Sequence, residues 1–147
     1  MPVPSKPRRY IDPVQRQRNR NEIAMRKAKE LMEPCVFCDL LDKGLPEVTK
    51  GVGVHVLEPL NPVTPGHLLI LPREHFPYPD RNPAVTGLVM QQAAKVALKG
   101  PYHQDYNYII NSGPSASQTI KHLHLHLVPR REGDGLILPW TNQEKSN

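Results

Sequence analysis

Three histidines alternate with three leucines within residues 120–130, IKHLHLHLVPR. Successive side chains of an extended strand point to opposite faces, so this pattern predicts a row of imidazoles on one face and a row of leucines on the other. The leucines can enter a hydrophobic core. The imidazoles can bind a metal ion, act in nucleophilic or acid–base chemistry, or form a polar face without a role. The histidines are His122, His124 and His126, and the leucines that follow them are Leu123, Leu125 and Leu127.

A loop rich in small residues comes directly before the histidines, with the sequence NSGPSASQT at residues 111–119. Small residues let backbone N–H groups approach an anion, and hydroxyl and amide groups can donate hydrogen bonds to it. A loop of this type beside a histidine row suits a phosphate held next to a nucleophilic imidazole. Attack on phosphorus would form a phosphoramidate and divide one difficult displacement into two easier ones.

The two cysteines lie together as Cys35-Val-Phe-Cys38. This pair can be half of a zinc site, two buried thiols or a redox pair, and the motif alone does not decide between them. A zinc site needs two further ligands, for which His75 is a candidate. The redox interpretation lacks a predicted helix N-terminus that would lower a thiol pKa. Two cysteines exclude a disulfide framework and favour a reducing, cytoplasmic setting.

The order of predicted elements indicates an α+β domain on an antiparallel sheet. Alternating or apolar runs predict strands at residues 50–59, 66–74, 105–111 and 119–129, and helical periodicity predicts one main helix at residues 83–99. A short helix is expected at residues 21–33, where Asn21 can cap its start and Pro34 ends it. Residues 1–33 are interpreted as a basic extension and residues 34–147 as the catalytic domain.

The positive charge is concentrated at the N-terminus. Residues 1–33 contain nine Lys or Arg residues against four Asp or Glu residues, a net charge of +5, whereas residues 34–147 contain ten of each. A basic arm of this kind can bind nucleic acid, or it can be a solvated tail. No apolar run approaches the roughly 20 residues that a membrane span needs, and no secretory signal is expected.

The histidine segment resembles the motif of the histidine-triad (HIT) family, His-φ-His-φ-His-φ-φ, in which φ is apolar. The longer stretch SQTIKHLHLHLVPR looks like the fragile histidine triad branch, and PGHLLILP matches the family's strand after its first turn. The resemblance covers about residues 34–131. It implies a HIT-like fold with a five-stranded antiparallel sheet and one main helix, a homodimer, and no organic cofactor.

The resemblance also implies roles for individual residues. His124 would be the nucleophile that becomes nucleotidylated, His126 and a backbone carbonyl would orient it, and His67 would lie beneath the phosphate. The expected activity is hydrolysis or transfer of a nucleoside 5′-phosphoryl group, for example from a dinucleoside polyphosphate or a nucleoside phosphoramidate. Pro59 occupies the place of a ribose-binding Asp or Asn, and Ser117 replaces a common glycine. The expected substrate-binding residues are Asn61, Asn111, Ser117, Gln118 and Thr119.

Zinc-binding members of the family use a Cys pair, a histidine after the Gly-His strand and the first triad histidine. The corresponding residues here are Cys35, Cys38, His75 and His122. The resemblance therefore implies one structural zinc ion per chain. Four protein ligands would leave no open coordination position, so the zinc would not be the catalyst.

Two other functions remain open. The protein could hydrolyse nucleotidylated nucleic-acid ends that the basic arm helps to bind. It could also be a non-catalytic nucleotide-binding protein that keeps the fold.

Overall fold

The computed structural model describes residues 12–100 and 104–138 of the 147-residue chain. The chain forms two compact units, Met1–Pro34 and Cys35–Asn147, which are described separately. The first eleven residues of the basic arm lie outside the described residues. Within the described residues, no helix combines the length and the apolar character needed to cross a bilayer.

Helix α1 (Pro13–Met32) belongs to the first unit and is 20 residues long. It starts at Pro13 because the Asp12 carboxylate accepts a hydrogen bond from the backbone N–H of Val14, and proline suits the first helical position. The prediction of a short helix from Asn21 was therefore wrong in length. Hydrogen bonds between side chains four residues apart support the added turns, from Gln15 to Asn19 and from Gln17 to Asn21.

The second unit is built on four antiparallel strands: β1 (Val54–Leu57), β2 (Leu68–Pro72), β3 (Asp105–Ile110) and β4 (Leu125–Arg130). Their order in the sheet is β1-β2-β4-β3, which confirms the α+β class. The fifth strand that the resemblance implied is not formed by the described residues. Its nearest equivalent is a single bridge between Glu47 and His55, and Pro46, which has no N–H to donate, precedes this bridge.

Strand β1 starts four residues later than predicted because residues 49–53 form a turn. The Glu47 carboxylate accepts hydrogen bonds from the backbone N–H groups of Gly51 and Gly53. Both glycines have positive φ angles, 80° and 73°, which other L-residues rarely adopt. The glycines that were read as part of an alternating strand are therefore turn residues.

Two further helices complete the second unit. Helix α2 (Val36–Asp42) was not predicted, because a seven-residue helix gives little periodic signal. The longer helix α3 (Pro83–Leu98) ends within one residue of its predicted position. It is capped by the Asn82 side chain, which accepts from the Val85 N–H, and has proline at its first position.

The two faces of the sheet bury different residues. In the register of β2 and β4, Leu69 lies opposite His126 and Ile70 lies opposite Leu125. Ile70 packs with the triad leucines against α3, in a cluster that includes Val89, Ala93, Leu123, Leu125 and Leu127. On the other face, Leu69 and Leu71 pack against Phe37 and Leu41 of α2. This arrangement confirms that the leucines enter the core.

Strand β4 begins at Leu125, later than the predicted start at residue 119. The N–H of Leu123 donates to the Phe76 carbonyl oxygen at 2.7 Å, so this part of the chain is held by residues that follow β2. His122 and His124 still lie on the opposite side of the chain from Leu123, since both imidazoles contact the Phe37 ring edge-on. The alternation therefore extends beyond the strand itself.

Candidate active site and metal centre

His124 is held in one tautomer by the backbone. Its Nδ1 lies 2.8 Å from the carbonyl oxygen of His122. A carbonyl oxygen only accepts hydrogen bonds, so Nδ1 must carry the proton and the neutral ring must have its lone pair on Nε2. The side chain is only 6% exposed, and burial lowers the pKa of His124 below its ordinary value. His124 therefore presents a neutral, nucleophilic Nε2 at neutral pH.

His67 and His126 form a second hydrogen-bonded pair. The N–H of Val63 donates to His67 Nδ1 at 3.1 Å, so the proton of a neutral His67 is on Nε2. That Nε2 lies 3.0 Å from His126 Nδ1 and donates to it. The proton of His126 is then on Nε2. Burial, reinforced by the neighbouring His124 and His67, lowers the pKa of His126 to about 4.

These two tautomers give His124 a lone pair on Nε2 and give the neighbouring His126 an N–H donor on Nε2. The centroids of the His124 and His126 rings are 5.0 Å apart. His124 can attack an electrophile through Nε2, and the Nε2–H of His126 can donate to an oxygen of the same group. This division of roles matches what nucleophilic catalysis at phosphorus requires.

Both rings line a cleft of about 310 Å³. The structure brings together in this cleft six of the predicted catalytic and substrate-binding residues: Asn61, His67, Asn111, Thr119, His124 and His126. Its apolar walls were not predicted and include Phe37, Leu69, Ile109, Ile120 and Val128. The two-residue periodicity of the strands could have identified Leu69 and Val128, whereas Phe37 depends on the unpredicted helix α2.

Two expected substrate-binding residues, Gln118 and Ser117, are not brought into the described lining of this cleft. Gln118 is 8% exposed and its amide group is bonded to the backbone of neighbouring loops. Ser117 is exposed, with a φ of 66° in the left-handed region. That conformation gives a physical reason for glycine at this position in the resembling family.

A second cluster holds the four expected metal ligands. One ligand atom from each of Cys35, Cys38, His75 and His122 lies within 4.8 Å of the others. The Nε2–H of His122 donates to the Pro72 carbonyl oxygen at 2.8 Å, which leaves the lone pair of Nδ1 facing the two sulfur atoms at 3.6 Å each. In metal-binding histidines, a hydrogen bond from the ring nitrogen that does not face the metal commonly fixes the tautomer. These residues could therefore hold a metal ion.

The cysteine pair occupies a helix N-terminus, contrary to the sequence interpretation. Cys35 is the N-cap of α2, and its sulfur accepts from the Cys38 N–H at 3.5 Å. Even so, burial and the neighbouring Cys35 raise the pKa of the Cys38 thiol to about 11. A redox-active thiol needs a lowered pKa. A bound cation would reverse the shift by stabilising the thiolate, so the geometry favours metal binding.

Comparison with known proteins identifies the family. The model of the HIT domain matches residues 49–133, more than half of the chain. The chain therefore belongs to the HIT family. The matched region contains the three triad histidines together with His67 and His75, while the two cysteines lie before it.

The relatives include enzymes and a metal-bound structure. The chain is 30% identical to adenylylsulfatase HINT3 of Arabidopsis thaliana over 75% of its own length and 59% of that protein's length. It is 30% identical to adenosine 5′-monophosphoramidase HNT1 of Saccharomyces cerevisiae, with 75% and 72% covered. A crystal structure of a Zn-bound histidine triad family protein from Mycobacterium smegmatis is 33% identical, with 74% and 81% covered and a TM-score of 0.57.

The depressed pKa of His126 predicts a pH-dependent stability. An unfolded histidine titrates near pH 6.5, whereas folded His126 titrates near 4. Between these values the unfolded chain binds more protons, so the free energy of unfolding should fall as the pH is lowered from about 6.5 to about 4. Urea denaturation at several pH values measures this slope. The variant His126→Gln should show a shallower slope than the wild type, and equal slopes would contradict the lowered pKa of His126.

Proposed function

We propose that the protein is a nucleotide hydrolase or transferase that cleaves a nucleoside 5′-phosphoryl substrate through a covalent nucleotidyl-histidine. The observation that carries the proposal is the tautomer of His124, in which the bond from Nδ1 to the His122 carbonyl leaves a lone pair on Nε2, on a ring that lines the same cleft as Asn111 and Thr119. The names of the two enzyme relatives, an adenylylsulfatase and an adenosine 5′-monophosphoramidase, support an adenylyl substrate.

The first step is the attack of His124 on the α-phosphorus. Its Nε2 lone pair forms a P–N bond, and the leaving group departs with the electron pair of the bond that breaks; a departing amine takes up its proton from solvent. The ring becomes positively charged in this step, and the His122 carbonyl oxygen that already accepts from Nδ1–H stabilises that charge. The His126 Nε2–H can donate to a phosphoryl oxygen as negative charge builds up there.

The second step releases the nucleotide. Water, or inorganic phosphate in a transferase, attacks the phosphorus and the P–N bond breaks. His124 recovers its lone pair on Nε2, and the proton of the attacking water passes to solvent. The hydrogen bond from Nδ1 to the His122 carbonyl persists throughout, so the ring returns to the same tautomer for the next cycle.

Four cleft side chains beside the histidines are proposed to bind the substrate. Asn111 and Thr119 flank the small-residue loop and can donate to phosphate oxygens, while Asn61 can bond the ribose. The apolar wall around Phe37 can pack against the base.

Replacing His124 by alanine should remove turnover and leave binding in place. We expect the rate of adenosine 5′-phosphoramidate hydrolysis to fall by about 10⁴-fold, a scale typical of losing a nucleophile, while AMP still binds. Product release followed by chromatography and AMP binding followed by calorimetry measure the two effects. Lys95→Ala, an exposed change on α3, is the control and should keep wild-type turnover. Full activity in His124→Ala would rule out the proposed nucleophile.

We also propose that Cys35, Cys38, His75 and His122 bind one structural zinc ion. Two sulfur and two nitrogen ligands in a closed set are typical of structural zinc sites. The ion would tie the start of α2 to the segment that leads into β4. Its role would be stability, since structural zinc in small domains contributes about 10 kcal/mol or more of apparent binding free energy.

The zinc proposal predicts one zinc ion per purified wild-type chain by elemental analysis. Cys38→Ser should lose most of this zinc and melt at a lower temperature, because the site then lacks a thiolate ligand. Asp39→Asn, at the neighbouring exposed position of α2, is the matched control and should keep the zinc content and the melting temperature of the wild type. A wild-type chain with far less than one zinc ion after purification without chelators would contradict the proposal.

A second candidate function is hydrolysis of nucleotidylated nucleic-acid ends. The observation that favours it is the placement of charge on α1. Arg16, Arg20 and Lys27 are spaced by four and seven residues, so they share one face of this 20-residue helix. A cationic stripe of this kind can follow a phosphate backbone, and the first unit carries all of the net charge.

This second function predicts salt-dependent binding of single-stranded oligonucleotides by the full-length chain. Arg20→Glu should weaken binding and reduce the slope of log affinity against log salt concentration by about one, the value expected for one lost phosphate contact. Arg18→Glu makes the same charge change on the other face of α1 and should have a smaller effect. Fluorescence anisotropy over a range of salt concentrations measures both, and equal losses would contradict a role for the stripe.

A non-catalytic nucleotide-binding protein is the remaining alternative, and it would be favoured if wild-type protein bound AMP without turnover of any adenylyl compound. The homodimer, the cytoplasmic location and the assignment of residues 34–147 as the catalytic domain stay predictions.

A further inference from the structure

We propose that Gln118 is a positioning residue that braces the loop 111–119 against the backbone of Pro77, and that it does not bind the substrate phosphate directly. The proposal rests on the function proposed above, because it concerns the alignment of the same site. It also departs from the family resemblance, which implied a direct contact from Gln118 to the phosphate or the leaving group.

The amide group of Gln118 is fully used within the protein. Its Nε2 donates to the Pro77 carbonyl at 2.7 Å and to the Ile120 carbonyl at 3.1 Å, and its Oε1 accepts from the Gly113 N–H at 2.8 Å. A carboxamide has two N–H donors, so no hydrogen is left for a phosphate oxygen. Because the side chain is buried, turning it towards the cleft would leave a backbone carbonyl unpaired, which is costly.

Gln118 also closes the loop on itself. Its backbone N–H donates to the Gly113 carbonyl at 3.1 Å, while its side chain holds the N–H of the same glycine. The loop that these bonds close includes two residues with positive φ angles, Gly113 at 92° and Ser117 at 66°. Asn111 and Thr119 lie at the two ends of this closed loop and both line the cleft. This brace, the set of three side-chain hydrogen bonds of Gln118, therefore sets where these two polar side chains lie.

The segment that accepts from Gln118 also holds the backbone next to His124. Pro77 accepts from Gln118, while the preceding Phe76 carbonyl accepts from the N–H of Leu123, next to His124. The carbonyl groups of Phe76 and Pro77 thus hold both the loop and the backbone next to His124. Loss of the brace would let the loop shift relative to His124 Nε2. A small misalignment of reacting groups lowers the rate of the chemical step more than it lowers binding.

The wild-type protein provides a first test that needs no substitution. In nuclear magnetic resonance spectra of the ligand-free chain, the side-chain amide hydrogens of Gln118 should exchange slowly with solvent and change little when AMP is added. The buried side chain of Gln92 is the internal reference for a protected amide. Hydrogens that exchange rapidly in the free protein and become protected only with AMP would overturn the proposal.

A matched pair of variants provides the second test. Gln118→Met keeps the side-chain length but removes all three bonds, whereas Gln91→Met makes the same change at an exposed position on α3. In Gln118→Met, exchange of the Gly113 amide should rise by about tenfold, the scale of one lost hydrogen bond. The kcat should fall by about 10- to 100-fold with little change in KM. Gln91→Met should match the wild type.

A higher KM with unchanged kcat and unchanged Gly113 exchange would instead identify Gln118 as a direct ligand and overturn the proposal. The exchange measurements do not depend on turnover. If the wild-type chain hydrolyses no adenylyl compound, the proposed function fails, while the exchange results still decide whether the brace exists.

Discussion

The hydrogen bond from His124 Nδ1 to the His122 carbonyl is the interaction on which the proposed chemistry depends. It determines which nitrogen of the central imidazole carries a lone pair, and it does so without a charged partner. The bond requires the backbone of residues 122–124 to be held rigidly. Two contacts supply that rigidity: His122 Nε2 donates to the Pro72 carbonyl, and the Leu123 N–H donates to the Phe76 carbonyl. His122 therefore belongs to the candidate metal-binding cluster and also holds the backbone of the candidate active site.

Burial favours the neutral form of the histidines that line the cleft. It is the largest cause of the lowered pKa of His67, His124 and His126, and a neutral imidazole is the form that can attack phosphorus. Among the described residues that line the cleft there is no lysine or arginine. Nearby Arg130 is bound to Asp134 and Asn107. Recognition of a phosphate here would thus rely on neutral N–H and O–H donors, which do not raise the barrier to forming a cationic intermediate.

Several parts of this arrangement follow from local sequence rules. The two-residue alternation assigned the triad leucines to the core, because side-chain direction in an extended chain needs no tertiary information. Helix α3 was located from its periodicity and from the Pro-Gly signals at its ends. The four metal-ligand candidates come from positions 35 to 122, and no local rule joins the cysteine pair to the two histidines. The Cys-x-x-Cys spacing paired the two cysteines and His75 was a candidate third ligand, but only the resemblance to a known family added His122, and the structure brings all four within ligand distance of one another.

The parts that sequence reasoning missed depend on tertiary contacts. Helix α2 is too short for a periodic signal and was therefore absent from the predicted site, together with Phe37. The late start of β4 arises because Leu123 pairs with Phe76 and not with β2. The buried orientation of Gln118 depends on the carbonyl group of Pro77, 41 residues earlier, which an isolated sequence window does not contain.

The central claim is that catalysis proceeds through a nucleotide bound covalently to His124. The most direct test mixes the protein with adenosine 5′-phosphoramidate, quenches the reaction within milliseconds and examines the peptide of residues 122–130 by mass spectrometry. The account predicts an adenylyl group on His124 that forms and decays fast enough to explain the steady-state rate. Product formation without any adduct, or an adduct on another residue, would contradict it.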